Sequence, residues 1–122
     1  MTKKIAIPIE NGKLCAHFGH CEYFAIATVQ NNQIIEIIEK IPPAHEPGIY
    51  PQWITSFNVT DVIAGGMGQK AIKLFNQQNI NVFVGAPIKG EKEIVEKFLA
   101  NELFLNANYC NHDENYHHNC SH

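Results

Sequence analysis

No apolar run in this 122-residue chain approaches the roughly 20 residues needed to cross a bilayer. The opening Met1-Thr-Lys-Lys-Ile-Ala-Ile-Pro-Ile-Glu10 has two lysines but no long apolar core and no small-residue cleavage site. Neither a membrane span nor a secretory leader is expected, and the chain is read as cytoplasmic. Basic excess is missing too: 9 Lys and Arg stand against 12 Asp and Glu, a net charge of −3. A surface built to neutralise phosphates needs the opposite balance, so nucleic acid is not an expected partner. The four cysteines of a reducing compartment point to metal or redox chemistry rather than to structural disulfides.

Catalytic signatures are also scarce. Ser56 and Ser121 lack a G-x-S-x-G setting, and no recognisable carboxylate pair stands at a strand end. Cys15 or Cys21 beside a histidine could serve as a nucleophile, but no third, orienting residue accompanies them. There is no Walker loop and no G-x-G-x-x-G fingerprint. The expectation is a protein that is not an enzyme.

What is present is a core of ordinary size. Apolar residues make up 45% of the chain and charged residues 17%, enough for one domain without staples. Lys4 to Ile9 reads as a buried strand, and Asn11-Gly12 as a turn. Glu22 to Val29 is aromatic and β-branched on both alternating faces, as in a central strand covered on both sides. Asn31-Asn32 tolerates left-handed backbone angles and turns the chain into an antiparallel strand, Gln33 to Glu39. The two glutamates of that strand suit a sheet edge, where charge discourages pairing with another chain.

Ile41 to Gly48, with three prolines, is an extended connector. A helix is expected from Pro51, with Trp53, Ile54 and Phe57 on one face. Then come a strand (Asp61 to Ala64), the turn Gly65-Gly66-Met67-Gly68, and a helix (Gln69 to Gln78) burying Ala71, Ile72, Leu74 and Phe75. Asn81 to Val84 is the fifth strand, and Glu91 to Ala100 a helix with Ile94, Val95, Phe98 and Leu99 inward. This order predicts an α/β fold: an antiparallel meander feeding a parallel βαβ unit, with helices on both faces of a mixed sheet of about five strands. The domain is expected over residues 1–105, with 106–122 a Cys/His-rich flexible tail.

Three stretches could carry chemistry. Cys15-Ala-His17-Phe-Gly-His20-Cys21 puts two thiols and two imidazoles in seven residues, the ligand types preferred by zinc, copper(I) and iron–sulfur species. The spacing matches no zinc finger, and seven residues do not wrap four ligands around one ion. An open site with one to three ligands fits better. The plainer alternative makes Cys15 and Cys21 small buried hydrophobes and the histidines surface or capping groups. Gly65, Gly66 and Gly68 precede a helix start, where unpaired N–H groups and the dipole favour an anion. A tight βα turn accounts for them equally well. If the first and fourth strands lie side by side, that turn and the Cys15–Cys21 loop meet at one edge of the sheet. Finally, Cys110, His112, His117, His118, Cys120 and His122 crowd the last thirteen residues, a composition that binds divalent metal without building a core.

The motifs His17-Phe18-Gly19-His20-Cys21 with Phe24, His45-Glu46-Pro47-Gly48, Pro51-Gln52-Trp53, Ala64-Gly65-Gly66-Met67-Gly68 with Ala71, and Gly85-Ala86 occur in this order. From the first strand to about Leu105 the chain resembles the dinitrogenase iron–molybdenum cofactor biosynthesis family, including its small stand-alone members. The resemblance implies a three-layer α/β/α, ribonuclease H-like fold used without nuclease chemistry; Ile5, Ala6, Ile7 and Ile9 supply no acid to the first strand. It also implies a carrier of iron–sulfur or iron–molybdenum clusters, accessory to their assembly, with cluster-assembly or acceptor proteins as partners. His17, His20 and Cys21 are the implied cluster contacts, with Cys15 a further candidate. No radical-SAM C-x3-C-x2-C motif is present, so the cofactor-synthesising enzyme is not implied. The alternative expectation is a protein–protein regulatory module whose tail buffers metal. A third is a thiol-redox protein working through Cys15 and Cys21.

Overall fold

Successive residues of a strand point to opposite sides of a sheet, and in β1 (Thr2–Glu10) Ile5 to Ile9 are buried on both. That strand is the centre of the molecule. The computed structural model describes residues 2–15, 18, 21–43, 49–100, 102, 103 and 105, and the backbone of 107–109. Among them, β1 turns through Asn11 and Gly12, both at positive φ, into the two-residue β2 (Lys13–Leu14). β3 (Tyr23–Gln30) and β4 (Gln33–Lys40) form the expected antiparallel hairpin. Its turn residues Asn31 and Asn32 sit at φ of 53° and 65°, the left-handed angles asparagine tolerates.

The helix α1 (Ile49–Thr55) starts two residues before Pro51. Proline is accepted there because a first-turn N–H has no intrahelical partner to lose. β5 (Asp61–Ala64), α2 (Gln69–Gln77), β6 (Asn81–Val84) and α3 (Glu91–Leu99) follow as expected. The strand order is β4–β3–β1–β5–β6–β7, with β2 paired to β1 off that path. β1 and β5 are parallel neighbours, as are β5 and β6.

Two strands go beyond the five expected. β2 is too short to leave a periodic signal. β7 (Ala107–Tyr109) pairs antiparallel with β6, so the sheet continues into the stretch expected to be tail. Three residues with no apolar run carry no strand signature of their own; the open edge of β6 supplies the ladder. The rest of the expected tail lies outside the described residues.

The core divides by strand face. Ala6, Phe24, Ile26, Val62, Ala64 and Val82 pack under α1 and α2 with Tyr50, Ile54, Ile72 and Phe75. Ile5, Ile7, Ile9, Ala25, Ala27, Ile63 and Phe83 pack under α3 with Ile94 and Val95. The architecture is therefore α/β/α around a mixed sheet. No described helix is long and apolar enough to cross a membrane.

Candidate functional site

Parallel neighbours end on the same edge of a sheet, so the chain leaving β1 and the chain leaving β5 emerge together. The Cys15–Cys21 loop and the Gly65–Gly68 turn are joined directly: the Phe18 N–H donates to the Gly66 carbonyl at 3.2 Å. The convergence expected from strand order is present. The glycine turn is held from its other side by β6, where the Gly85 N–H donates to the Gly65 carbonyl at 2.9 Å. Gly85 takes φ of +84° there, an angle glycine adopts without steric cost.

The loop is pinned at both ends and in the middle. The Cys15 N–H donates to the Pro8 carbonyl and the Glu22 N–H to the Ile9 carbonyl, each at 2.8 Å. Between them Phe18 is 7% exposed and meets Phe24, Tyr50 and Phe75 edge-on, with ring centroids 5.5, 5.9 and 5.5 Å away. Edge-to-face aromatic contacts of this kind add to the burial of the ring. Phe18 thus anchors the middle of this stretch as an aromatic plug.

Cys15 is buried, and its thiol lies 3.7 Å from Glu10 Oε1, to which it donates. Cys21 is half-buried against the aromatic cluster. Burial, with the charges of Cys15 and Glu10 adding and backbone N–H groups opposing, pushes the Cys21 thiol up to about 12. As a free group it stays protonated at neutral pH and is a poor nucleophile, which weighs against the thiol-redox reading. A cation reverses this balance. The Glu10 carboxylate that opposes a bare thiolate would favour a bound cation, and binding would release the thiol proton.

Tyr50 was not singled out by sequence. It stands at the start of α1 in contact with Phe18 and Phe24, and its phenol is shifted upward by burial and by the Cys21 charge. Phe18 and Glu10 were likewise not expected as parts of the site. The signals for Phe18 were its place in the His17–Cys21 motif and its being the one aromatic of that loop.

Opposite the loop, Gly68 is the N-cap of α2, at φ −71° and ψ 156°, with no side-chain cap. Those angles suit any residue, and a Cβ added there would meet nothing within 4 Å. A side chain at this helix start therefore has room. The first turn of α2 contains no acid, so its N–H groups meet no carboxylate of their own turn.

His17 and His20, and the tail ligands Cys110, His112, His117, His118, Cys120 and His122, lie outside the described residues, as does His45-Glu46-Pro47-Gly48. Among the described residues no group of three His, Cys, Asp or Glu is close enough to hold a metal ion. Cys15, Cys21 and Glu10 do not make a closed site by themselves.

A model of the family described as "Dinitrogenase iron-molybdenum cofactor" matches residues 1–101. The chain is 34% identical over 105 residues to the protein MJ0580 of Methanocaldococcus jannaschii, covering 82% of this chain and 88% of that one. In fold it is similar to PH0822, with a TM-score of 0.79 at 24% identity over 84% of this chain and 94% of the other. It is also similar to the apo form of the orange protein from Desulfovibrio gigas, with a TM-score of 0.73 at 18% identity, covering 86% and 93%.

Proposed function

The chain belongs to the dinitrogenase iron–molybdenum cofactor family, and on that premise we propose that it is a non-enzymatic, cytoplasmic carrier of iron–sulfur or iron–molybdenum clusters. Cluster-assembly or acceptor proteins are its partners. The observation that carries this reading is the 3.2 Å hydrogen bond joining the Cys/His loop to the glycine turn. It supports a reading in which the loop offers soft ligands from one side and the α2 helix start offers N–H groups from the other.

The two sides suit different parts of a cluster. Cys21, with His17, His20 and Cys15 on the same loop, supplies thiolate and imidazole to the metal. The α2 N-terminus beyond Gly65, Gly66 and Gly68 offers N–H donors to inorganic sulfide. Few protein ligands and an open mouth favour release, which a carrier requires. The tail residues Cys110, His112, His117, His118, Cys120 and His122 would gather divalent metal.

Anaerobic reconstitution of the full chain with iron and sulfide, followed by metal analysis and absorbance, tests this. Wild type is expected to take up iron with inorganic sulfide, and His17→Ala/Cys21→Ala to lose most of both. Equal uptake by the two would rule out the loop as the site.

A further inference from the structure

β4 is the terminal strand of the sheet on the side away from β7, and among the described residues no strand pairs with its outer edge. It is eight residues long, and three large apolar side chains are exposed on or just past it: Ile35 at 55%, Ile38 at 36% and Ile41 at 82%. A long edge with exposed isoleucines is a template for another strand. Its charges decide which one. A bulge falls in the β3–β4 ladder before Glu36, and from Glu36 to Lys40 the register is regular. Glu36, Ile38 and Lys40 pair with Thr28, Ile26 and Phe24, which places them on the α1/α2 face.

Alternate residues of a strand direct their N–H and C=O groups outward, so antiparallel pairing of β4 with its own copy about a two-fold axis has few registers. An axis at Glu36 or Glu39 sets two like carboxylates face to face. An axis at Ile37 sets Glu36 against Ile38 and Glu39 against Ile35. An axis at Ile38 behaves differently. It pairs Ile38 with its own copy, Glu36 with Lys40 twice over, and Ile35 with Ile41, leaving Glu39 opposite Ile37, which is already half-buried under α3. Only that register matches opposite charges and joins all three exposed isoleucines.

The geometry points to a second copy of this chain as the occupant of the β4 edge, paired antiparallel about Ile38. The glutamates that discourage most neighbours specify this one. β1 runs parallel to β4, since each is antiparallel to β3. The two Cys15–Cys21 loops therefore lie at opposite ends of the joined sheet, both open, and dimerisation is independent of cluster loading.

Sedimentation equilibrium of the full chain at low salt, from micromolar to submillimolar concentration, tests this. The expected mass approaches twice the 13.7 kDa of the chain. Glu36→Lys brings two like-charge pairs together and is expected to weaken the dimer about tenfold. Adding Lys40→Glu to it restores the dimer, and both variants keep wild-type circular dichroism and iron loading. A single-chain mass at every concentration, a dimer indifferent to Glu36→Lys, or a charge swap that fails to restore it would overturn the proposal. So would a monomer whose Glu36–Lys40 amides are protected from exchange until residues 111–122 are removed, which would give the edge to the chain's own C-terminal segment.

Discussion

The two faces of the sheet are built from different materials. Under α3 the core is mainly aliphatic, with Ile5, Ile7, Ile9, Leu14, Val29, Ile63, Ile94 and Val95. Under α1 and α2 the aliphatic residues are joined by an aromatic cluster, Phe18, Phe24, Tyr50 and Phe75, flanked by Trp53 and Phe57. The two helices that follow parallel strands differ in the same way. Both begin at a glycine without a side-chain cap, but α3 carries Glu91 and Glu93 in its first turn and α2 carries no acid there. Carboxylates at a helix start compensate the dipole from within. α3 therefore compensates its own helix start, whereas α2 has no such carboxylate and follows the glycine turn that is bonded to Phe18. One face holds the fold together; the other also carries the proposed site.

Matched substitutions on the two faces test this division, and the largest effect is expected in the cores. Phe18→Ala and Ile94→Ala should each cost about 3 kcal/mol in urea unfolding. Under native conditions only Phe18→Ala should lose iron and sulfide, because only Phe18 fixes the loop. Equal loss of loading in Ile94→Ala would erase the distinction.

The helix starts give a smaller contrast. Gly68→Asp supplies α2 with its own carboxylate, in backbone geometry that accepts it. It should raise stability by a few tenths of a kcal/mol. Competition with bound sulfide should weaken cluster binding by about 1 kcal/mol, roughly fivefold. Gly90→Asp, before a helix already supplied with acids, should leave binding unchanged. Cluster titration of the two variants against wild type reads the difference.

A third test uses pH. The Cys21 thiol, at 9.0 for an ordinary cysteine and about 12 in the folded chain, is neutral in both states at pH 7. As pH rises past 9 the unfolded chain loses this proton first, so the folded state loses stability between about pH 9 and 12. Urea midpoints should fall less steeply over that range in Cys21→Ala than in wild type. Parallel curves would show that the thiol is not held in the environment described. The smallest effect is expected for Glu91→Gln/Glu93→Gln, at a few tenths of a kcal/mol from the lost dipole compensation, read as a small drop in melting temperature with loading intact.

Much of the fold was legible because period and turn chemistry agree. Asn11-Gly12 and Asn31-Asn32 take the left-handed angles their residues favour, and β1 and β3 are buried on both faces, as their unbroken apolar runs imply. The meeting of the cysteine loop with the glycine turn followed from placing β1 beside β5. Other features depend on tertiary context. β7 exists through the edge of β6, and nothing in Ala107-Asn108-Tyr109 encodes a strand alone. Phe18 reads as one more loop residue until the pocket of Phe24, Tyr50 and Phe75 is assembled. Glu10 comes within reach of Cys15 only because the Asn11-Gly12 turn folds the chain back. The roles of His17 and His20 rest on sequence and kinship, since both lie outside the described residues.

The most direct measurement is the iron, molybdenum and acid-labile sulfide content of the full chain purified without oxygen. It should be compared with a Cys110→Ser/Cys120→Ser chain, whose tail has lost its thiols. The account predicts metal with inorganic sulfide in both, at similar amounts per chain. Metal without sulfide, or sulfide that disappears with the tail cysteines, would contradict it.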